Sequence, residues 1–421
     1  MTPEDLGARA VARCDLMGAP PYSERDDQLV RPFLTASHAA ALKTLAEWMA
    51  QAGMTTRLDA AANLIGRYEG ATPGAPALMI GSHIDTVRNG GRYDGALGVM
   101  LGVDCVEALH DAGRRLPFAI EVIAFGDEEG SRFPAPMSCS RAVAGTVDPA
   151  VLATADAEGV TLAQARLDFE PGIAPITEAA RKPGDVFAYL EAHIEQGPVL
   201  EAENLAIGVV TAIAAQRRLM VRITGTAGHA GTTPMHLRRD PGPAAAEAIL
   251  AIERICGAEA GLVGTVGRVA AFPGAFNVIP GAVEFSMDVR APTAGARDIA
   301  VEAIVDEIEA IADRRGLSLA IDPVQDLAES PSDPALTDLL EAAVADVGVT
   351  PRRLPSGAGH DSMVIADLCP TAMLFIRCRG GVSHNPAESV ETEDVALAAR
   401  AMLAFIDRLA VQMSAKQGQD A

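Results

Sequence analysis

Ala77-Leu-Met-Ile-Gly-Ser-His-Ile-Asp85 opens as a short apolar run and closes in polar residues. Four apolar residues bounded by glycine read as a buried strand. Beyond a glycine-rich turn, Gly90-Gly-Arg-Tyr-Asp-Gly95, a Gly- and Ala-rich helical pattern extends from Gly95 to Ala112. A second β-type run, Ile120-Glu-Val-Ile-Ala-Phe125, passes directly into Gly126-Asp-Glu-Glu-Gly130. Strand, helix, strand in this rhythm predicts an α/β sheet. Both strands end in clusters of charged residues, which is where such sheets place their chemistry.

Working outward, Ser37 to Ala52 carries Ala40, Ala41, Leu45, Trp48 and Met49 at helical spacing, with Ser37 as N-cap and Gly53 as stop. The texture changes near Ile213. A strand at Arg218–Thr224, a helix at Pro243–Cys256, and β-type runs at Leu262–Ala271 and Ala282–Arg290 follow. In the second of those runs Val283, Phe285, Met287 and Val289 alternate with Glu284, Ser286, Asp288 and Arg290, giving one apolar and one polar face. An amphipathic helix through Ile299, Ile304, Val305, Ile308 and Ile311 and a strand at Leu317–Ile321 complete a β-α-β-β-α-β order, the ferredoxin-like split unit. A unit of that size can be inserted into another domain. After Ser330 the α/β texture resumes with helix Pro334–Val347, strand Ala372–Ile376 and helix Thr392–Met413, and Ser414–Ala421 read as frayed. The division is therefore 1–212 and 329–421 for one domain and 213–328 for an insert.

The 421 residues are enough to bury a large core without staples. With 34 Lys+Arg against 56 Asp+Glu the formal charge is −22, which argues against nucleic acid and anionic membrane surfaces, since both draw affinity from clustered cations. A small-molecule ligand remains. Six cysteines without a Cys-x-x-Cys pair read as reduced and mostly packing residues. The acidic N-terminus lacks the pattern of a secretory signal, and no apolar run approaches the roughly 20 residues of a membrane span, so the cell interior (cytoplasm) is the expected address.

Five of eight histidines sit in short Gly-flanked polar clusters. His83 and Asp85 alternate on one side of an extended segment, so the carboxylate can orient the ring, although such a pair also occurs for structure alone. Asp94 stands between Tyr93 and Gly95 at a helix start. The acids Asp127, Glu128 and Glu129 are either merely solvated or divided between a cation ligand and a proton carrier facing opposite ways. His193 in Glu191-Ala-His-Ile-Glu-Gln-Gly197 and His384 in Gly380-Gly-Val-Ser-His-Asn-Pro386 are each ordinary residues taken singly. Together His83, Asp94, Glu129, His193 and His384 offer five N and O donors without thiolates, a set suited to a dinuclear Zn²⁺, Mn²⁺ or Co²⁺ site.

These motifs, in this order and together with Gly228-His-Ala-Gly-Thr-Thr-Pro-Met235 and Ser383-His-Asn-Pro-Ala-Glu388, resemble the M20 metallopeptidase clan, and within it the hydantoinase/carbamoylase amidases, from about Phe33 to about Leu409. The resemblance implies an M20-type di-metal catalytic domain with an inserted ferredoxin-like lid and dimerisation domain. It implies that His83 and His193 bind one metal, Glu129 and His384 the other, that Asp94 bridges, that Glu128 is the general base, and that Asp85 stands behind His83. It implies that His229 reaches the partner subunit's site as oxyanion donor, so that a homodimer is required. Asn277 and Arg290 match positions holding the substrate carboxylate, and Gln196 and His360 further substrate-side positions. The reaction implied is attack of an activated water on a ureido carbonyl, releasing ammonia and a carbamate that falls apart to CO₂ and an amine.

Within this family the Gln216-Arg-Arg218 pattern, read as preceding the strand, resembles allantoate amidohydrolases, with Arg217 as a donor for a second polar arm of the substrate. N-carbamoyl-L-amino-acid hydrolase and β-ureidopropionase are the alternatives. A non-catalytic relative should lack ligands or base, and this chain has all of them; a true aminopeptidase would release amino acids from dipeptides. The chain has no Gly-x-Gly-x-x-Gly, Walker or Gly-x-Ser-x-Gly motif.

Overall fold

The computed structural model describes residues 3–419. They form two compact units, one comprising residues up to Thr211 with Ser332–Leu354 and Gly359 onward, the other Ala212–Pro331 with Pro355–Ala358.

The first unit is built on a mixed sheet. Its strands run in the spatial order Thr55–Leu58, Leu64–Tyr68, Ala119–Phe125, Ala77–His83, Val186–Ile194, Thr371–Ile376 and Ile207–Ile213. The four inner strands from Ala119–Phe125 to Thr371–Ile376 are mutually parallel, and the flanking strands pair antiparallel. Ala77–His83 and Ala119–Phe125 are buried along their whole length, as expected of strands covered on both faces. The period of two divides them between two cores. Leu78, Ile80, Ile120, Val122 and Ala124 pack with helices Pro3–Leu16, Ala36–Gln51, Ala96–Asp111, Pro334–Asp346 and Thr392–Gln419. Met79, Ile123 and Phe125 pack with Ser138–Ala144 and Leu162–Phe169.

Three boundaries differ from the sequence reading. Helix Ala36–Gln51 is capped by Thr35, whose side chain accepts from His38 N, while Ser37 lies inside the helix. Thr392–Gln419 continues as helix through residues 414–419, which had read as frayed; Asp420 and Ala421 lie outside the described residues. The Leu262–Ala271 run is two short strands, Val263–Thr265 and Val269–Phe272, because Val266-Gly267-Arg268 interrupts it.

The second unit carries an antiparallel sheet in the order Val269–Phe272, Ala282–Ala291, Ala215–Thr224, Ser318–Leu327, with Val263–Thr265 also pairing on Ala282–Ala291. Helices Pro241–Gly257 and Ala294–Arg314 cover one face, where Val221, Ile223, Phe285, Met287, Ile304 and Ile308 form the core. The alternation read in Ala282–Ala291 is present: Val283, Phe285, Met287 and Val289 are buried. All six cysteines are free and buried. Among the described residues no helix is long and apolar enough to cross a membrane.

Candidate metal centre

Parallel strands bring their carboxyl ends to one edge of the sheet, and the polar clusters meet there. His83 is the last residue of Ala77–His83 and is paired in register with Phe125, after which the chain turns through Asp127, Glu128 and Glu129. His193 lies one residue before the end of Val186–Ile194, on the neighbouring strand. Asp94 immediately precedes Gly95, the N-cap of Ala96–Asp111. His384 lies in the loop after Thr371–Ile376.

The carboxylate of Asp94 is the hub. Its Oδ1 lies 3.2 Å from His193 Nε2 and 3.6 Å from His83 Nε2, while Oδ2 lies 3.2 Å from His384 Nε2. His384 Nε2 is 3.6 Å from Glu129 Oε1. His83, Asp94 and His193 thus form one group of donor atoms close enough for a single ion, and Asp94, Glu129 and His384 a second. Asp94 belongs to both. These N and O donors fit a pair of divalent ions, with one carboxylate oxygen turned to each group.

Close packing makes this convergence possible. Gly95 has φ +65° and a Cβ there would collide with the His83 ring, so glycine is required both by conformation and by space. Gly95 N donates to His193 Nε2 at 3.3 Å. Burial disfavours a charged His83 ring, but the Asp85 and Asp94 carboxylates outweigh it and hold His83 well above the usual histidine range. Burial likewise opposes ionisation of Asp94, yet the three imidazoles around it hold its pKa well below the ordinary value. Burial lifts Glu128 well above the carboxylate range, against the pull of His83 and with Asp361 adding to the rise.

The positions of several residues differ from the expectation. The ring of His83 is held through Nδ1 by the backbone carbonyl of Asp85 at 3.0 Å, with the Asp85 carboxylate farther away at 3.4 Å. That carboxylate stands behind the ring as expected and also accepts from the amides of Glu128 and Glu129. Glu128 and Glu129 do not face opposite ways: the chain bends here, and each has a carboxylate oxygen close to His83. Gln196 Nε2 donates to Asp94 Oδ2 at 3.1 Å and to Ser383 Oγ at 3.0 Å, so it holds the hub carboxylate where a substrate contact had been expected. His360 is buried, its ring centroid 4.4 Å from that of His193. Burial, with His193 beside it, keeps His360 neutral by pushing its pKa well down.

Sequence reasoning did not find the residues behind these. Glu191 accepts from Ser82 Oγ and from Ser362 N, tying the His83 and His193 strands to helix Asp361–Ile365. Arg31, 1% exposed, donates to the carbonyls of Ile84, Met17 and Tyr22 and so fixes the residue between His83 and Asp85. A buried arginine bonded only to carbonyls leaves no pattern in a single sequence.

Four remaining candidates belong to the second unit. His229 is exposed, and its Nδ1 accepts from Gly231 N at 3.1 Å. Asn277 is exposed, and its carbonyl accepts from Ala230 N. Arg290 forks onto Asp288, Nε and Nη2 each meeting one carboxylate oxygen at 3.0 and 2.9 Å. Gln216 and Arg218 also donate to Asp288, from the facing strand. Arg217 lies inside strand Ala215–Thr224, not before it, and shares parity with the core residues Leu219, Val221 and Ile223. It therefore points to the helix-covered side, where its guanidinium pairs with Asp326 at 2.5 Å and Asp298 at 3.4 Å. Arg217 and Arg290 project from opposite faces, which removes Arg217 as a donor to the same ligand.

A family model described as peptidase family M20/M25/M40 matches residues 79–408. The chain is 44% identical over 384 residues to an N-carbamoyl-L-amino acid amidohydrolase of Geobacillus stearothermophilus, covering 91% of this chain and 93% of that one. It is 41% identical over 426 residues to a probable allantoate deiminase of Oryza sativa subsp. japonica, covering 93% and 87%. An amidase of the hydantoinase/carbamoylase family from Burkholderia multivorans superposes with a TM-score of 0.89 at 33% identity, covering 97% and 98%. The chain thus belongs to peptidase family M20/M25/M40, with the hydantoinase/carbamoylase amidases, and is a hydrolase of C–N bonds.

Proposed function

We infer that the chain hydrolyses the terminal ureido group of a small carboxylate, with allantoate as substrate, giving ureidoglycine, ammonia and CO₂. The observation that carries this is Asp94, whose two oxygens face two separate groups of imidazole and carboxylate donors. His83, His193 and Asp94 would hold one divalent ion (Zn²⁺, Mn²⁺ or Co²⁺), and Glu129, His384 and Asp94 the other. When bound, such a pair supplies Lewis acidity at the carbonyl and brings the pKa of a water toward neutrality.

The protein's own residues perform the proton work. Glu128, buried beside His83, takes the proton of the attacking water and returns it to the departing nitrogen, which leaves as ammonia. Asp85 keeps Glu128 in place through its backbone amide. His229 donates a hydrogen bond to the developing oxyanion. Its exposure, and that of Val269, Phe272 and Phe276 on the same unit, supports a homodimer as the working form.

Arg290 and Asn277 hold the substrate carboxylate; Asp288 orients the guanidinium through Nε and Nη2, and the remaining N–H groups of its two terminal nitrogens are the ones that meet the ligand. The preference for allantoate over an N-carbamoyl amino acid now rests on Arg218, which shares the Arg290 face and, beyond its Nε bond to Asp288, has further N–H groups to offer a polar ureido arm. Relatives of both specificities match at similar identity, 44% and 41%. The cysteine pattern suits a reducing, cytoplasmic setting.

The test is ammonia release from allantoate, N-carbamoyl-L-amino acids and β-ureidopropionate by the metal-depleted chain with Mn²⁺, Zn²⁺ or Co²⁺ restored. Turnover of allantoate at least as efficient as the others supports the reading. Efficient turnover of N-carbamoyl-L-amino acids or β-ureidopropionate with none of allantoate removes it.

A further inference from the structure

Glu388 takes no part in the donor groups around Asp94, yet it is 5% exposed and its carboxylate is fully engaged. Oε1 accepts from the amides of Tyr93 at 2.9 Å and Asp94 at 3.1 Å. Oε2 meets Ser383 Oγ at 3.1 Å. Ser383 Oγ in turn lies 3.0 Å from Asp94 Oδ2 and receives Gln196 Nε2. One carboxylate thus grips the backbone of Asp94 directly, and its second oxygen shares the single proton of the Ser383 hydroxyl with Asp94 Oδ2.

The turn before Asp94 is shaped around this group. A Cβ at Gly91 would fall within the Glu388 carboxyl, so only glycine lets the loop close over it. Glu388 and Ser383 flank His384, the donor that faces Asp94 Oδ2. The loops carrying Asp94 and His384 are nearly 300 residues apart in the chain, and beside the direct contacts of Ser383 and His384 with Asp94 Oδ2, Glu388 ties the backbone of the first loop to the second.

We propose that Glu388 is the positioning residue of this centre, clasping the Asp94 loop to the His384 loop and so setting the affinity of the cation position formed by Asp94, Glu129 and His384. The inference rests on the two-cation reading given above. Groups behind ligands typically change metal affinity on the order of 10- to 100-fold when removed. The mechanism is geometric: without the clasp, the turn carrying Asp94 loses the anchor of its two amides, and Oδ2 is held toward His384 by Ser383 and Gln196 alone, while Oδ1 keeps its contacts with His83 and His193.

The experiment is titration of the metal-depleted full chain with Mn²⁺ alone, read by calorimetry and by ion stoichiometry, with amide exchange at Tyr93 and Asp94 and the melting temperature followed in parallel. Glu388→Ala is expected to weaken one of two Mn²⁺ sites by roughly 10- to 100-fold and to speed exchange at both amides. Glu388→Gln keeps an oxygen for both amides and is expected to retain two ions. Should Glu388→Ala fail to fold, Gly91→Ala displaces the same carboxyl without touching a donor and is expected to weaken the same site. Two ions bound by Glu388→Ala or Gly91→Ala as tightly as by the wild type overturn the inference. A wild-type chain that binds no Mn²⁺ overturns the two-cation reading itself, a result distinguishable from the first.

Discussion

Asp85 Oδ1 accepts a hydrogen bond from the backbone amide of Glu128 at 3.1 Å. Its second oxygen accepts from Glu129 N at 3.3 Å, and its backbone carbonyl meets His83 Nδ1. One fully buried residue therefore aligns a histidine from one strand with two acids from the next. Asp85→Asn keeps the carbonyl and one acceptor but leaves one buried amide facing an NH₂ group. A lost partner of this kind costs about 1–3 kcal/mol. The expected result is a lower melting temperature and a fall in kcat larger than any rise in KM, measured by thermal unfolding and initial rates. Unchanged kcat would show that the two acids hold their places without Asp85.

Glu128 and Glu129 are adjacent and both near His83, so only substitution separates their roles. Glu128→Gln is expected to keep both ions and to lower kcat by about 10²- to 10⁴-fold, the usual worth of a general base. Glu129→Gln is expected to lose an ion as well as rate. Metal analysis beside kinetics decides it. A rate near that of the wild type in Glu128→Gln would mean that another group carries the proton.

The donor residues were legible because each sits in a short polar cluster at a strand end, a helix start or a glycine-flanked loop, and chain order did not obscure that. Their arrangement was less so. That His193 stands on the strand next to His83 follows from the spatial order of the sheet, which places Val186–Ile194 beside Ala77–His83 across about 100 residues of chain. The face on which Arg217 lies depends on where its strand begins. Starting that strand at Arg218 left Arg217 in a loop free to point anywhere, whereas the observed start at Ala215 fixes it by parity on the helix side. The role of Glu388, quoted only as the end of a motif, and that of Arg31 were not legible because the partners that define them are largely backbone groups, which every residue carries.

Stability should fall in mild acid, and His38 is a named cause. Its ring is completely buried against Phe33 and Phe169, and Nδ1 accepts from Leu34 N. Burial, with Arg31 nearby, pushes its pKa down to about 3. The unfolded chain takes up a proton on this histidine near pH 6.5, while the folded chain stays neutral down to about 3. The unfolded state therefore binds more protons throughout that window, and stability drops as pH falls through it. Between pH 7 and pH 5 this one group accounts for about 2 kcal/mol. In denaturant titrations, His38→Gln is expected to lose less stability than the wild type over that interval. Equal losses would assign the acid sensitivity to other groups.

Arg217 and Arg218 are neighbours whose side chains leave the strand in opposite directions, so paired substitutions test the substrate reading. Arg218 donates through Nε to Asp288 Oδ2 at 2.9 Å, the carboxylate that Arg290 also grips. Arg217 is 27% exposed and tied to Asp326 and Asp298. If a ureido arm of the substrate is met on the Arg290 face, Arg218→Leu should lower kcat/KM for allantoate by roughly 10- to 100-fold, the worth of one hydrogen bond to a charged group. Arg217→Leu should change it by less than about threefold, as for a substitution that severs partly exposed ion pairs. Activity toward an N-carbamoyl amino acid with an apolar side chain serves as the internal control, since Arg218→Leu removes nothing that such a side chain uses. The reverse ranking, with Arg217→Leu the damaging change, would mean that its ion pairs open in the working enzyme and that strand parity misidentified the specificity residue.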